Sequence, residues 1–286
     1  MTEALLLLLK LSVGALILAI GMGSTFSDLT YLWKRPGLLL RSLLAMYVLV
    51  PLAAFLLVKF LPIAPGVKAA LLVLAVSAGA PLLPKKLGAF RSDAYVFSLV
   101  VTSSLLAIAL VPAWVAVLGE HFEVATDLTP GTVAIAVAKA FLAPLAIGMA
   151  IRALWPKLGE RFSDKILTVA GLLLAACGLV LLVTHWQLFT QMGWVGVSAV
   201  IVLMLIALAI GHLLGGPSPD DRTALAIACA TRHIGIAVLV ATAFRGPRTA
   251  VLIAGYVVCS ALVSIPYLRW RRHEARGADR TEASAS

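Results

Sequence analysis

The chain has 286 residues, of which 62% are hydrophobic and only 13% charged, and its formal net charge is +10. No water-soluble domain of this length needs so much apolar surface, so lipid is the expected solvent. Nucleic acid is excluded as the reason for the basic excess: Lys and Arg lie in short segments between apolar runs without interleaved aromatics, which is the pattern of membrane orientation signals.

A spanning helix takes about 20 apolar residues. On that ruler nine spans are predicted: Leu5–Met22, Gly37–Phe60, Gly66–Leu83, Ala94–Gly119, Thr132–Ile151, Ile166–Trp186, Trp194–Leu214, Arg222–Phe244 and Arg248–Tyr267. The first has no basic leading region and is interrupted by Lys10, so it reads as a span rather than a cleaved signal. Between the first two, Gly23–Arg35 predicts a short interfacial helix with Tyr31 and Trp33 at headgroup depth. Arg152–Asp164, with Trp155 and Phe162 among alternating charges, predicts another. Residues 1–268 form one membrane domain, with a first repeat over about 4–119 and a second over about 130–268; residues 269–286 form a polar cytoplasmic tail. Cys177, Cys229 and Cys259 all lie inside apolar runs, which argues against a disulfide framework or a metal spacing.

Orientation follows from the basic residues. Of the 23 Lys and Arg, 16 fall on one side of the nine spans, four (Lys59, Lys68, Arg245, Arg248) on the other, and three (Lys10, Lys139, Arg232) within spans. The bias puts the C-terminus in the cytoplasm and the N-terminus outside an inner, or cell, membrane that the chain crosses many times.

The third and eighth spans superpose at an offset of 154. Ala70-Leu71 falls on Ala224-Leu225, Ser77 on Thr231 and Pro81 on Gly235. Identities are few. Helix breakers follow the middle of each, with Gly79, Pro81 and Pro84 in one and Gly235 in the other. Five spans separate the copies, an odd number, so the repeat is inverted. A pair of interrupted helices in corresponding positions marks a midplane substrate site in transporter folds. Helix N-termini pointing into that site would bring partial positive charge. The other reading is that these residues merely kink or end ordinary spans.

Four stretches together resemble the bile acid:sodium symporter superfamily: GMGSTFSDL, KRPGLLLRSLLAMYVLVPLAAFLL, SAGAPLLPKKLGAFRSDAYVFSLVVTSSLLAIALVP and ACATRHIGIAVLVATAF. The resemblance covers most of residues 10–265. It implies an all-α polytopic fold of two inverted repeats, with a core domain that contains two discontinuous crossing helices (here the third and eighth spans) and a panel domain of the others. It further implies transport of organic anions, in many members with sodium. Nine spans match the shorter form of the family. The chain departs from the sodium-coupled pattern at the centre. Where those members have Glu, then Gln and Asn four and five residues on, this sequence has Ala228, Arg232 and His233. Where they have Ser-Asn after the first break, it has Leu83-Pro84.

Arg232 therefore dominates the site. An arginine at half depth costs about 2.5–3.5 kcal/mol on insertion scales and stays charged. It has two readings: its guanidinium occupies the space of the missing sodium ions and binds an anion as a fork, or it caps carbonyls at the helix break. His233 is either a proton carrier or a neutral hydrogen-bond partner; two adjacent cations in lipid favour the second. Thr231, Ser77 and Pro81 line the same predicted break. Lys139 either faces the cavity and attracts anions or pairs with a neighbouring polar face. Thr102, Ser103 and Ser104 are the oxygen-bearing candidates for an ion.

The sequence thus points to a secondary transporter of a small organic anion that works by alternating access. No cofactor is expected beyond a possible coupling Na+ or H+, and the expected partners are that anion and the lipid bilayer, not nucleic acid. The alternatives are a related efflux carrier, arsenite- or auxin-type, and a sodium-coupled symporter with non-standard sites. An arsenite carrier is expected to have a cysteine at the first break, and none is there. An intramembrane enzyme is not expected: no Asp or Glu lies securely within a span, and the histidines form no ligand set.

Overall fold

The structure is a computed structural model; it describes residues 3–77, 93–122, 130–184, 186–190, 193–232, 255–256, 259–260 and 262–274. Every element among the described residues is helical. In chain order they are α1 (Glu3–Gly23), α2 (Phe26–Thr30), α3 (Pro36–Leu44), a π-helical turn (Ala45–Leu49), α4 (Val50–Phe60), α5 (Pro65–Val76), α6 (Asp93–Phe122), α7 (Pro130–Leu154), α8 (Pro156–Thr184), α9 (Trp186–Thr190), α10 (Gly193–Leu214) and α11 (Pro219–Ala230). Residues 262–274 form a final helix, α12. Four helical stretches among the described residues are long and apolar enough to cross a membrane: Pro36–Phe60, Ala94–Trp114, Pro156–Thr184 and Gly193–Leu214. Leu7–Gly23 is a shorter apolar one.

The short second element forms for a local reason. Thr25 caps α2 by accepting from the Asp28 N–H, and the Asp28 carboxylate in return accepts from the Thr25 N–H at 3.0 Å, a reciprocal capping box. Trp33 follows it, 59% exposed. A helix is therefore present within the expected Gly23–Arg35 stretch, shortened to Phe26–Thr30. The one expected over Arg152–Asp164 is not a separate helix. Only Trp155 interrupts the helical run between Leu154 and Pro156, and α8 then continues for 29 residues to Thr184. Pro156 starts α8 because a proline at the first helical position loses no bond, and nothing before Ile166 breaks it. At about 1.5 Å per residue α8 is roughly 43 Å long, more than a bilayer core of about 30 Å. Its charged first turns have length to spare beyond the hydrocarbon.

The helices pack as two groups. α1, α7 and α8 contact one another, and a small buried cluster of Leu9, Leu16, Ala170, Leu174 and Cys177 lies between α1 and α8. α3, the π turn, α4, α5, α6, α10 and α11 make up the second group, joined to the first chiefly where α6 meets α7. Most of the large buried core belongs to this second group. Within it, Ser42 and Tyr95 hydroxyls bond at 2.9 Å and tie α3 to α6.

α10 and α11 form a close antiparallel hairpin. A Cβ on Gly211 would sit 2.5 Å from the Ala226 Cα, and one on Gly215 would overlap the Arg222 backbone. The turn between them holds Gly216 at φ +86, the left-handed region that glycine occupies without strain. Arg222 Nε donates to Gly216 O at 2.7 Å. From α12, the buried Arg271 donates to Pro219 O (3.0 Å) and Thr223 Oγ1 (2.9 Å). A Cβ on Gly216 would lie 3.1 Å from Leu38 Cδ1. The start of α3, the α10–α11 turn and α12 thus meet at one end of the molecule.

Candidate functional site

The site begins with two short helices. α5 and α11 each have 12 residues, about 18 Å at 1.5 Å per residue, well short of the roughly 30 Å that a span requires. Both open on a proline, Pro65 and Pro219, and both end one residue before the pair that the sequence aligned, Ser77 and Thr231. The offset of 154 holds from first residue to last. The two ends are also built alike. Ser77 Oγ donates to Val73 O at 2.7 Å, and Thr231 Oγ1 donates to Ile227 O at 2.6 Å. In each case the same carbonyl also accepts from the backbone N–H of that Ser or Thr, so the hydroxyl bonds back as a second donor at the helix end. Both side chains are buried.

Arg232 follows the break of α11 and is 3% exposed. Its Nη1 donates to Met46 O at 3.1 Å, in the π turn of the second span. Its Nη2 is buried and has no hydrogen-bond partner among the described residues. The end of α11 carries the partial negative charge of the helix dipole, which favours a cation just beyond it. The ends of α5 and α11 at the break are C-terminal; the half-helix N-termini expected on the far side of each break lie outside the described residues. The Tyr256 hydroxyl donates to Ala230 O, the last carbonyl of α11. Tyr47, next to the Met46 that holds Arg232, donates its hydroxyl to Ser103 O.

The other expected residues divide. Ser103 Oγ donates to Val100 O at 3.0 Å, and Thr102 Oγ1 accepts from Trp33 Nε1 at 3.2 Å. Of that trio the buried Ser104 hydroxyl has no partner among the described residues. Lys139 lies exposed on α7, in the other helix group from Arg232. His233 and Pro81 lie outside the described residues.

Sequence reasoning missed Met46, Pro51, Trp114 and Tyr256 as members of this site. The only signal available was Pro51 in the middle of an apolar span, where a proline removes a backbone donor.

The arrangement holds one guanidinium nitrogen fast and leaves another buried without a partner among the described residues, just beyond the end of α11. An anionic group is what such a donor accepts. A family model described as the Sodium Bile acid symporter family matches residues 10–192, from α1 to the residues before α10, and so ends before Arg232. No curated protein matches the chain.

Proposed function

The chain belongs to the sodium bile acid symporter family, and from that premise we propose that it is a secondary transporter of a small organic anion in which Arg232 takes over the charge that sodium supplies elsewhere. That it is a membrane transporter of the bile acid symporter type follows from the family. The substrate class rests on one observation: Arg232 is buried beside the break of α11, with Nη2 unpartnered among the described residues. An open, desolvated guanidinium nitrogen is costly unless something anionic completes it. A carboxylate arriving there gains a charge-assisted hydrogen bond in a low-dielectric setting. A sodium ion arriving at the same place meets a fixed positive charge. The loss of Glu and Gln at Ala228 and Arg232, noted in the sequence, agrees with this.

The equal construction of α5 and α11 supports a reading as two discontinuous helices of an inverted repeat. The separation of α1, α7 and α8 from the remaining helices supports a panel moving against a core, with the site exposed to each side in turn. The contact of α6 with α7 is where such a motion would be felt.

The experiment is a thermal-shift screen of the purified protein against mono- and dicarboxylates, with and without sodium and at two pH values, repeated on Arg232→Ala. The expected outcome is a carboxylate-induced rise in Tm that needs no sodium and is lost in Arg232→Ala. A steep sodium dependence of the response, or an unchanged response in the variant, overturns the proposal.

A further inference from the structure

A carbonyl inside a membrane helix needs a donor from protein, since no water is there to supply one. In the second span the Val50 N–H donates to Ala45 O, five residues back rather than four. In that register Met46 O is the acceptor for residue 51, and in an ordinary α-helix Tyr47 O is. Residue 51 is a proline and has no N–H. Both carbonyls have found side-chain donors from other parts of the chain. Arg232 Nη1 serves Met46 O at 3.1 Å, across 186 positions of sequence. Trp114 Nε1 serves Tyr47 O at 3.2 Å.

We infer that Pro51 is a positioning residue for Arg232: together with the π turn it leaves Met46 O open, and that carbonyl fixes one end of the guanidinium beside the α11 break while Nη2 stays free for a ligand. The ligand-facing half of this rests on the proposed function above. The link between Pro51 and Arg232 does not, and it is measured without any ligand.

Pro51→Ala restores a backbone N–H at the position that the two carbonyls await. The substitution is made in three backgrounds of the full-length protein: native, Arg232→Lys and Arg232→Ala. Thermal unfolding is followed in detergent. Better helix propensity raises Tm by the same increment in all three. Where Arg232→Ala has emptied Met46 O, the new N–H fills it, and the gain is larger by about 3 °C. Arg232→Lys retains a donor for Met46 O and behaves as the native background does. If Arg232→Ala alone is too unstable to purify, recovery of folded protein on adding Pro51→Ala is the same positive result, and no recovery overturns the inference. An equal gain in all three backgrounds overturns it too. The two proposals fail separately. Coupling without any loss of carboxylate response in Arg232→Ala leaves Pro51 as the anchor and removes the anion reading. Loss of response without coupling does the reverse.

Discussion

At the residue scale, the chemistry of the site is a matter of which carbonyls lack donors. Arg232 was conspicuous in the sequence because a permanent charge at half depth is expensive. Both sequence readings of it have a counterpart in the geometry. One nitrogen does cap a carbonyl, but that carbonyl, Met46 O, belongs to a different helix. The other nitrogen has no partner among the described residues and is the one that the anion reading needs. The partner was not legible because a main-chain carbonyl has no residue-type signal and lies 186 positions away. Tyr256 was silent for a similar reason: nothing about a tyrosine near Cys259 says that its hydroxyl ends the α11 ladder. Its removal tests that role. Tyr256→Phe keeps the ring and leaves Ala230 O buried without its donor, so a loss of about 1–3 kcal/mol is expected, read as a lower Tm for the purified protein. An unchanged Tm would show that Ala230 O finds another donor at no cost.

At the element scale, the sequence aligns the third and eighth spans in a faint register, and two described helices share their bounds in it. Few identities connect the third and eighth spans, yet α5 and α11 share length, opening proline and terminal hydroxyl at an offset of 154. The sequence carried this because proline starts helices and a Ser or Thr that bonds back to i−4 suits their ends. The Arg152–Asp164 segment went the other way. Alternating charge looked like a separate surface helix, but helical continuity depends on backbone breakers, and Pro156 sits where it begins a helix rather than ends one. Close packing of elements is also testable. Gly211 touches the Ala226 backbone, whereas Gly14 on α1 has nothing within 4 Å of a Cβ. Gly211→Leu is expected to cost several kcal/mol through overpacking of the α10–α11 hairpin, seen as loss of monodisperse protein in detergent, while Gly14→Leu is expected to be tolerated. Equal behaviour of the two variants would show that the hairpin yields.

At the scale of the whole molecule, three parts of the chain that the charge count placed on the cytoplasmic side come together. They are the start of α3, the α10–α11 turn and α12, joined by Arg271 and by Leu38 against Gly216. Three chain segments that lie an even number of crossings apart must share a side, so their meeting agrees with the span order. The side itself is tested by labelling. Cys177, Cys229 and Cys259 are buried, which keeps the native background low for a membrane-impermeant thiol reagent. Lys59→Cys and His273→Cys, both at exposed positions, are expected to react from opposite faces, the first from outside and the second only after the cytoplasmic face is opened. Reaction of both from one face would overturn the topology.

The sequence by itself determined that the chain is a helical membrane protein, where its apolar runs and basic residues lie, and where α5 and α11 end. All of these follow from side-chain polarity and from backbone breakers, which are properties of local sequence. Only the tertiary structure decided what Arg232 touches, that α1, α7 and α8 pack apart from the rest, and that Pro51 bears on the site. Those depend on backbone carbonyls, helix register and contacts between distant segments, and such groups are the same in every residue until the fold brings one of them within reach of a donor.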